Sequence, residues 1–317
     1  GLPFSILKMD GDEAVAVFEL GMSDPGIGEI DLLASILKPD IAMILNILPV
    51  HLEFLKTIEN IAQAKSEILN YLGSDSIAFV QGDFDSAVRL AKKKIGRIEY
   101  FGKTKGINRF LLGNITRKND ISEFNLEYFG IRICFKTKLI SHSQIENLFA
   151  AMLAAKHLGM KDQEIQRAIW NLKPLARRGS ISKVRNRTII DESYNSNPEA
   201  LKKTLSWIDI EYRENKIAVL GDMLELGSNE RRFHRETGHF FAKLKYDRLI
   251  TVGDLAKEIA LGAAEGGVPE KSIQHYETIE ALETDISDLL TEGSVVLFKS
   301  SRNSGLNVIV ENYCEEK

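Results

Sequence analysis

Short apolar runs alternate with amphipathic stretches along most of the chain. Residues 13–20 (EAVAVFEL) and 40–46 (DIAMILN) are rich in Val and Ile, with a helical stretch, GEIDLLASILK, between them. Buried parallel strands read this way, so the segment predicts a strand–helix–strand unit. A helix is predicted over 57–72 (TIENIAQAKSEILNYL) and a strand over 76–81. From 97 to 139 the pattern changes to short β segments with turns (RIEYFGK, RFLLGNITRK, FNLEYFGIRICFKTK), followed by helices near 144–158 and 162–171. NLKPLARRGS then combines a proline, two arginines and a glycine, and reads as a boundary between units at 1–176 and 177–317. Beyond it strands are predicted at 187–191, 216–221, 247–252, 272–276 and 294–299, with helices between them and a last helix near 305–314. The fold class is α/β: a mostly parallel sheet with added β segments, then a second, Rossmann-like α/β domain.

Composition narrows the function classes. A chain of 317 residues, 44% hydrophobic and 27% charged, suits two soluble globular domains. The net charge of −4 is spread over interspersed acids and bases, so no nucleic-acid surface or polybasic membrane patch is expected. The longest apolar run, IAMILNILPV, is short and broken by Asn46 and Pro49, too little for a bilayer span. The first residues show no cationic start and long apolar stretch, so no signal peptide is expected. There is no initiator Met, and the chain reads as beginning inside a longer gene product. Cys134 and Cys314 are far apart and lack clustered ligands, which suits free thiols in a reducing cytoplasm.

Ligands of open α/β sheets bind beyond the carboxyl ends of the strands. The first predicted strand ends in Glu19; the second ends in Asn46, with His51 five residues on. Singly, Glu19 suits a helix cap and His51 a surface histidine. Together they suit an oxygen-rich Mg²⁺ site holding a phosphate. Ile61, Lys65, Ile68 and Leu72 follow i, i+4, i+7, i+11 spacing, which sets a lysine on an apolar stripe. Lys65 either reaches along the core edge to water or points into the crevice, where burial lowers its pKa. Its neutral amine could then add CO₂ and become an anionic carbamate. Gly102-Lys103-Thr104 imitates a phosphate loop, but five residues separate Gly96 from Gly102 and β structure follows, so a turn is expected. Asn147, in the first turns of the 141–159 helix, is either a helix-start residue or an amide reading a base edge.

In the second domain three segments leave strands with polar groups. DESYNSNPEALKKTL (191–205) is a strand-to-helix turn with Pro198 in the first helical turn. AVLGDMLELGSNERRFHRETG carries Asp222, His234 and Glu236; VVLFKSSRNSG carries Lys299 and Arg302, a cationic pair able to bind a carboxylate or phosphate.

These segments together resemble the Mur ligases. DESYNSNP is similar to the family's D-D-S-Y-N-A-N-P block, VLGDMLELG with its downstream His to G-D-M-x-E-L-G, and VLFKSSR to V-L-V-K-G-S-R. FELG…GEI, ILPVHLE and AKSEI resemble E-L-G…G-E-I, T-N…H-L-E and A-K-x-E-I. The resemblance is to the branch that adds D-alanyl-D-alanine, and it covers nearly the whole chain. It implies an ATP-dependent amide ligase of peptidoglycan synthesis, in the cytoplasm, serving cell-wall biogenesis, cell shape and division. The expected substrates are UDP-N-acetylmuramoyl-tripeptide and D-Ala-D-Ala, and a monomer is expected.

By position, Glu19 and His51 resemble Mg²⁺ ligands, with two ions expected, and Lys65 resembles the lysine carbamylated in this family. Asn46 matches the asparagine near the phosphates, Asn147 the adenine-contacting one, Arg178 the boundary G-R arginine and Asp191 the ribose-binding acid. Tyr194, Asn195 and Asn197 would border the nucleotide and the incoming dipeptide, and Lys299 and Arg302 the substrate carboxylate. Several positions depart from the pattern. Ser143 and Gln144 stand where His and Asn are frequent, Arg177 and Ser300 where glycines are, and the turn in ELGMSDPGIGEI is longer than usual. The phosphate loop G-T-x-G-K-T/S and the UDP-sugar domain are expected upstream of Gly1, so the central domain reads as incomplete and the chain alone as inactive. The alternatives are another amide ligase of the superfamily, similar to folylpolyglutamate synthase, or a non-catalytic module that kept the fold.

Overall fold

A computed structural model describes residues 1–22, 27–49, 52–94, 96–118, 121–139, 141–213 and 215–315. The long turn at 23–26 and His51 lie outside the described residues. The chain divides into two compact units, one of Gly1–Ile140 with Ile145–Leu172, the other of Ser141–Gln144 with Lys173–Lys317.

In the first unit the elements run α1 (Leu2–Ile6), α2 (Glu29–Leu37), β1 (Ile41–Ile44), α3 (Leu52–Leu55), α4 (Ile58–Ser66), β2 (Ile77–Gln81), α5 (Asp85–Ala91), β3 (Arg97–Gly102), β4 (Phe110–Lys118), β5 (Ile121–Tyr128), β6 (Ile131–Thr137), α6 (His142–His157) and α7 (Asp162–Trp170). The strands form one sheet in sequence order, β1 to β6. Pairing is parallel from β1 to β4 and antiparallel from β4 to β6. Side chains alternate across the strands, so both faces are apolar. Phe79, Phe101, Phe124 and Phe135 pack with Ile145, Phe149 and Met152 of α6 and Ile165 of α7. Ala42, Ile44, Ala78 and Val80 pack with Ile61, Ala62 and Ala64 of α4 and Ala87 and Ala91 of α5.

Two expectations fail in this unit. Residues 13–20 form no strand. Among the described residues β1 pairs with β2 alone, and Val15 and Val17 stay 54% and 91% exposed. A strand gains stability by pairing and burying side chains, and this segment pairs with no strand and half-buries only Phe18 and Leu20. The helix predicted over 57–72 ends at Ser66, and a tighter 3-10 turn covers Glu67–Tyr71. Glu67, the first residue of that turn, is buried, and its carboxylate accepts the Asp31 N–H at 3.0 Å, at the start of α2.

The second unit runs β7 (Ser180–Val184), β8 (Arg187–Glu192), α8 (Pro198–Glu211), β9 (Lys216–Gly221), α9 (Glu230–Phe241), β10 (Arg248–Val252), α10 (Ala256–Glu265), β11 (Ile273–Tyr276), α11 (Ile279–Leu289), β12 (Val295–Lys299) and α12 (Leu306–Glu315). The sheet order is β11-β10-β9-β12-β8-β7. All neighbours are parallel except the β7–β8 hairpin. The sequence pattern misses β7 because its burial is partial and irregular. Its turn uses Arg185 and Asn186, both at positive φ.

α11 and α12 cover one face of this sheet, through Leu282, Ile286, Leu306 and Ile309 against Ile189, Val219, Ile250 and Phe298. Alternate residues, among them Ala218, Leu220, Leu249 and Leu297, are equally buried and face the other way, where α8, α9 and α10 pack on one another. Gly238 and Gly262 let α9 and α10 approach closely: a Cβ on Gly238 would lie 2.2 Å from the Ile259 carbonyl oxygen. Thus β8 and β9 lead to helices on one face while β12, between them, leads to α12 on the other. Ligand crevices of open α/β sheets form at such a change of face, beyond the carboxyl ends of the strands.

Candidate functional site

In the first unit, the Thr57 hydroxyl accepts the Asn60 N–H at 3.1 Å and starts α4. Ile61 fixes the helix in the core. One turn on, Lys65 is half-buried beside the chain leaving β1, and its Nζ donates to both the backbone carbonyl (2.9 Å) and the side-chain oxygen (3.1 Å) of Asn46. Burial lowers the Lys65 pKa to about 8, a range in which the neutral amine is appreciably populated. The structure thus brings Lys65 and Asn46 together. It does not place Glu19 at a strand end: that carboxylate is exposed on the unpaired extended segment. Among the described residues no group of three or more His, Cys, Asp or Glu side chains could hold a metal. Asn147 is exposed on α6. Its neighbour Glu146 pairs with Lys103. Gly102 ends β3 and the chain then bends toward β4, with the Lys103 and Thr104 N–H groups donating to the Asp83 carboxylate at 2.8 and 3.1 Å.

The second unit assembles more of the expected residues. Asp191, near the end of β8, accepts the Ser193 N–H (3.0 Å) and hydroxyl (2.6 Å), which bends the chain away from the strand. Tyr194 then donates its N–H to the Arg177 carbonyl at 3.1 Å. The Arg178 guanidinium lies 3.9 Å from the centre of the Tyr194 ring, and that of Arg302 lies 5.8 Å from it. Two exposed cations and one aromatic ring thus meet at the ends of β8 and β12, an arrangement suited to an anionic ligand with a planar part. Arg177 sits at φ +62°, left-handed backbone that glycine adopts without strain, and its side chain pairs with Glu311.

Other expected ligand residues are engaged in building the turn. The Asn197 side-chain oxygen caps α8 through the Ala200 N–H at 2.9 Å, just before Pro198. Asn195 is exposed, and its side-chain oxygen accepts the Ser196 N–H at 2.8 Å. Lys299 is buried, and its Nζ donates to Glu192 at 2.9 Å and to the Asn195 carbonyl at 3.0 Å. It is therefore a pin under the 191–197 turn, and the cationic pair read at 299 and 302 separates into a buried strut and an exposed Arg302. Glu192, which the sequence reading passed over, also accepts the Thr204 hydroxyl at 3.1 Å. Lys299 stands opposite Glu192 in the β12–β8 ladder, a register that sequence spacing does not disclose.

The loop after β9 is held in the same manner. Ser301 donates its N–H to the Asp222 carbonyl at 2.9 Å, and its hydroxyl accepts the Leu224 N–H at 2.9 Å. Asp222 itself caps α10 through the Ala256 N–H at 2.7 Å. His234 is fully buried: Nδ1–H donates to the Glu230 carbonyl (2.7 Å), which leaves Nε2 to accept the Met223 N–H (2.9 Å). Burial lowers its pKa, consistent with this neutral tautomer. Ser300 packs where a Cβ on Gly221 would intrude, 2.7 Å away, so Gly221 makes room for it.

Comparison with known proteins matches residues 1–155 to the Mur ligase middle domain and residues 177–302 to the Mur ligase, glutamate ligase domain. The chain is 32% identical over 320 aligned positions to the UDP-N-acetylmuramoyl-tripeptide--D-alanyl-D-alanine ligase of Bacillus subtilis (strain 168), covering 99% of this chain and 67% of that one. It is 31% identical to the ligase of the same name from Rickettsia prowazekii (strain Madrid E), covering 99% and 69%. Among solved structures, MurF ligase from Thermotoga maritima in complex with ADP superposes with a TM-score of 0.86 at 27% identity, over 100% of this chain and 70% of that one.

Proposed function

The chain belongs to the Mur ligase family, and on that premise we propose that it forms the central and C-terminal parts of an ATP-dependent ligase joining D-Ala-D-Ala to UDP-N-acetylmuramoyl-tripeptide in peptidoglycan synthesis. The observation that carries this reading is the 32% identity, over 99% of the chain, to a ligase of that name. The chain spans about two thirds of the length of the relatives it matches. We take 1–176 as the ATPase-type domain and 177–317 as the ligase domain, in a cytoplasmic monomer.

The tripeptide carboxylate attacks the γ-phosphorus of ATP, ADP leaves, and an acyl phosphate forms. The D-Ala-D-Ala amine adds to its carbonyl carbon. The resulting tetrahedral intermediate expels phosphate, and the amine loses its proton as the amide forms. On the second unit, the Arg178 and Arg302 guanidiniums would neutralise phosphate or carboxylate charge beside the Tyr194 ring. Asp191 would meet the ribose, and Asn195 and Asn197 would border the dipeptide. On the first unit, Asn147 would meet the adenine.

Magnesium, with two ions expected, would shield charge on the phosphates when bound. Glu19 offers a hard oxygen donor of the kind it prefers, with His51 a further ligand by resemblance, and Asn46 would lie near the phosphates. An ammonium at Lys65, held against the Asn46 oxygens, would repel such an ion; a carbamate there would attract it. The lowered Lys65 pKa supports that modification.

These 317 residues contain no G-x-x-x-x-G-K-[S/T] sequence, the backbone cradle on which this class of phosphoryl transfer draws. The chain by itself is therefore proposed to be inactive toward ATP. The test of the function is ADP release by the complete polypeptide that requires both UDP-N-acetylmuramoyl-tripeptide and D-Ala-D-Ala. Turnover with a folate and glutamate in their place would sink the assignment.

A further inference from the structure

We infer that Gln144 is a positioning residue for Arg178, setting where its guanidinium stands over Tyr194; the inference rests on the proposed function for its kinetic meaning and on geometry alone for its structural one. Gln144 lies in the first turn of α6, yet it groups with the second unit while the helix from Ile145 onward groups with the first. Its side chain is locked at both ends. The Oε1 atom accepts the Ser141 N–H at 3.2 Å, and the Gln144 N–H returns a bond to the Ser141 hydroxyl, also at 3.2 Å. The Nε2 atom donates to the Arg178 carbonyl at 2.7 Å and reaches the Gly179 carbonyl at 3.3 Å.

The segment it grips has little freedom left. Gly179 is at φ +79°, and a Cβ there would come within 2.8 Å of the Gln144 Nε2. On the opposite side, the Gly179 N–H donates to the Asp191 carbonyl at 2.8 Å and the Arg177 carbonyl accepts the Tyr194 N–H. The 177–179 backbone is thus held between Gln144 and the β8 turn. Arg178 emerges from the middle of that clamp with its side chain 3.9 Å over the Tyr194 ring. Only an amide of this length offers a donor to the two carbonyls while its oxygen accepts from Ser141. Gln144→Glu keeps the shape and the acceptor but turns a carboxylate oxygen toward two carbonyl oxygens. Gln144→Met keeps the length and removes both polar groups.

Two measurements test the inference. The first is a double-mutant cycle in the complete ligase, comparing Gln144→Glu and Gln144→Met in the wild-type and Arg178→Ala backgrounds. Displacing a positioned group by about an ångström costs up to roughly a hundredfold, so each Gln144 variant should lower kcat/KM about tenfold or more. Neither should lower it further once Arg178 is gone. Equal losses in both backgrounds would overturn the inference. The second measurement needs no activity: the Tyr194 ring resonance of the 317-residue chain, assigned by its loss in Tyr194→Phe. It should move toward its Arg178→Ala position in either Gln144 variant. A ring signal that stays at its wild-type position in both variants would overturn the inference even if the ligase assignment holds. A shifted signal sustains it even if the complete polypeptide proves inactive with the substrates named.

Discussion

Lys65 directs its side-chain nitrogen at both oxygens of Asn46, 2.9 Å from the backbone carbonyl and 3.1 Å from the side-chain oxygen. The pair joins the core helix α4 to the chain that leaves the carboxyl end of β1. With burial lowering the pKa to about 8, about a tenth of the amine is neutral at pH 7, against roughly four parts in ten thousand for an ordinary lysine.

That difference makes Lys65 the expected site of carbamylation. At fixed dissolved CO₂, carbamate should increase as pH rises through about 8. A carbamate signal from ¹³C-labelled CO₂ should appear in the wild-type chain and vanish in Lys65→Ala. In the complete enzyme Lys65→Ala should lose about a hundredfold or more in kcat, with partial recovery on adding small carboxylates. Unchanged activity would end the carbamate assignment.

The Arg178–Tyr194 stack needs the ring, not the hydroxyl. Tyr194→Phe should keep kcat/KM close to wild type, whereas Tyr194→Ala should lower it about two- to fivefold, the equivalent of one exposed cation–π contact. Equal losses in the two variants would instead assign the work to the hydroxyl.

Lys299 and Glu192 form a buried ion pair beneath the 191–197 turn. Removing one partner strands a buried charge, so Lys299→Met should destabilise the chain by about 3–5 kcal/mol in urea unfolding. Replacing both residues, Lys299→Met with Glu192→Leu, should recover part of the loss. A negligible cost for the single change would show that the turn stands without its pin.

His234 predicts a pH effect on stability. Its folded-state pKa is lowered by burial, which outweighs the Glu230 carbonyl and the nearby Asp222, Glu230 and Glu258 charges that raise it. The unfolded chain therefore binds the proton more readily, and the His234 contribution is complete above the ordinary histidine pKa and declines as pH falls below it. Thermal unfolding between pH 7.5 and 5.5 should show this decline, flattened in His234→Gln, whose amide can still accept a hydrogen bond. Identical pH slopes for the two proteins would exclude His234 as the source.

Most elements are legible in the apolar pattern because the central strands β2, β9, β10 and β12 are buried on both faces and read as continuous apolar runs. The segment at 13–20 misleads for the same reason: Val15 and Val17 have strand composition, but composition does not supply a pairing partner. At the candidate site, the Lys65 stripe spacing and the strand-end position of Tyr194 are visible in sequence. The roles of Lys299 and Asn197 are not. Whether a strand-end lysine meets ligand or carboxylate depends on the register that sets it opposite Glu192. Whether an asparagine oxygen is available depends on the Ala200 N–H it caps. Gln144 is equally hidden, since its partners lie 34 and 35 residues away.

The central claim is a ligase acting on two defined substrates, and steady-state ADP release by the complete polypeptide tests it most directly. It predicts turnover only when UDP-N-acetylmuramoyl-tripeptide, D-Ala-D-Ala and Mg²⁺-ATP are all present, and none by the 317-residue chain alone. Enzyme-like turnover that ignores D-Ala-D-Ala, or phosphate release by the isolated chain, would contradict it.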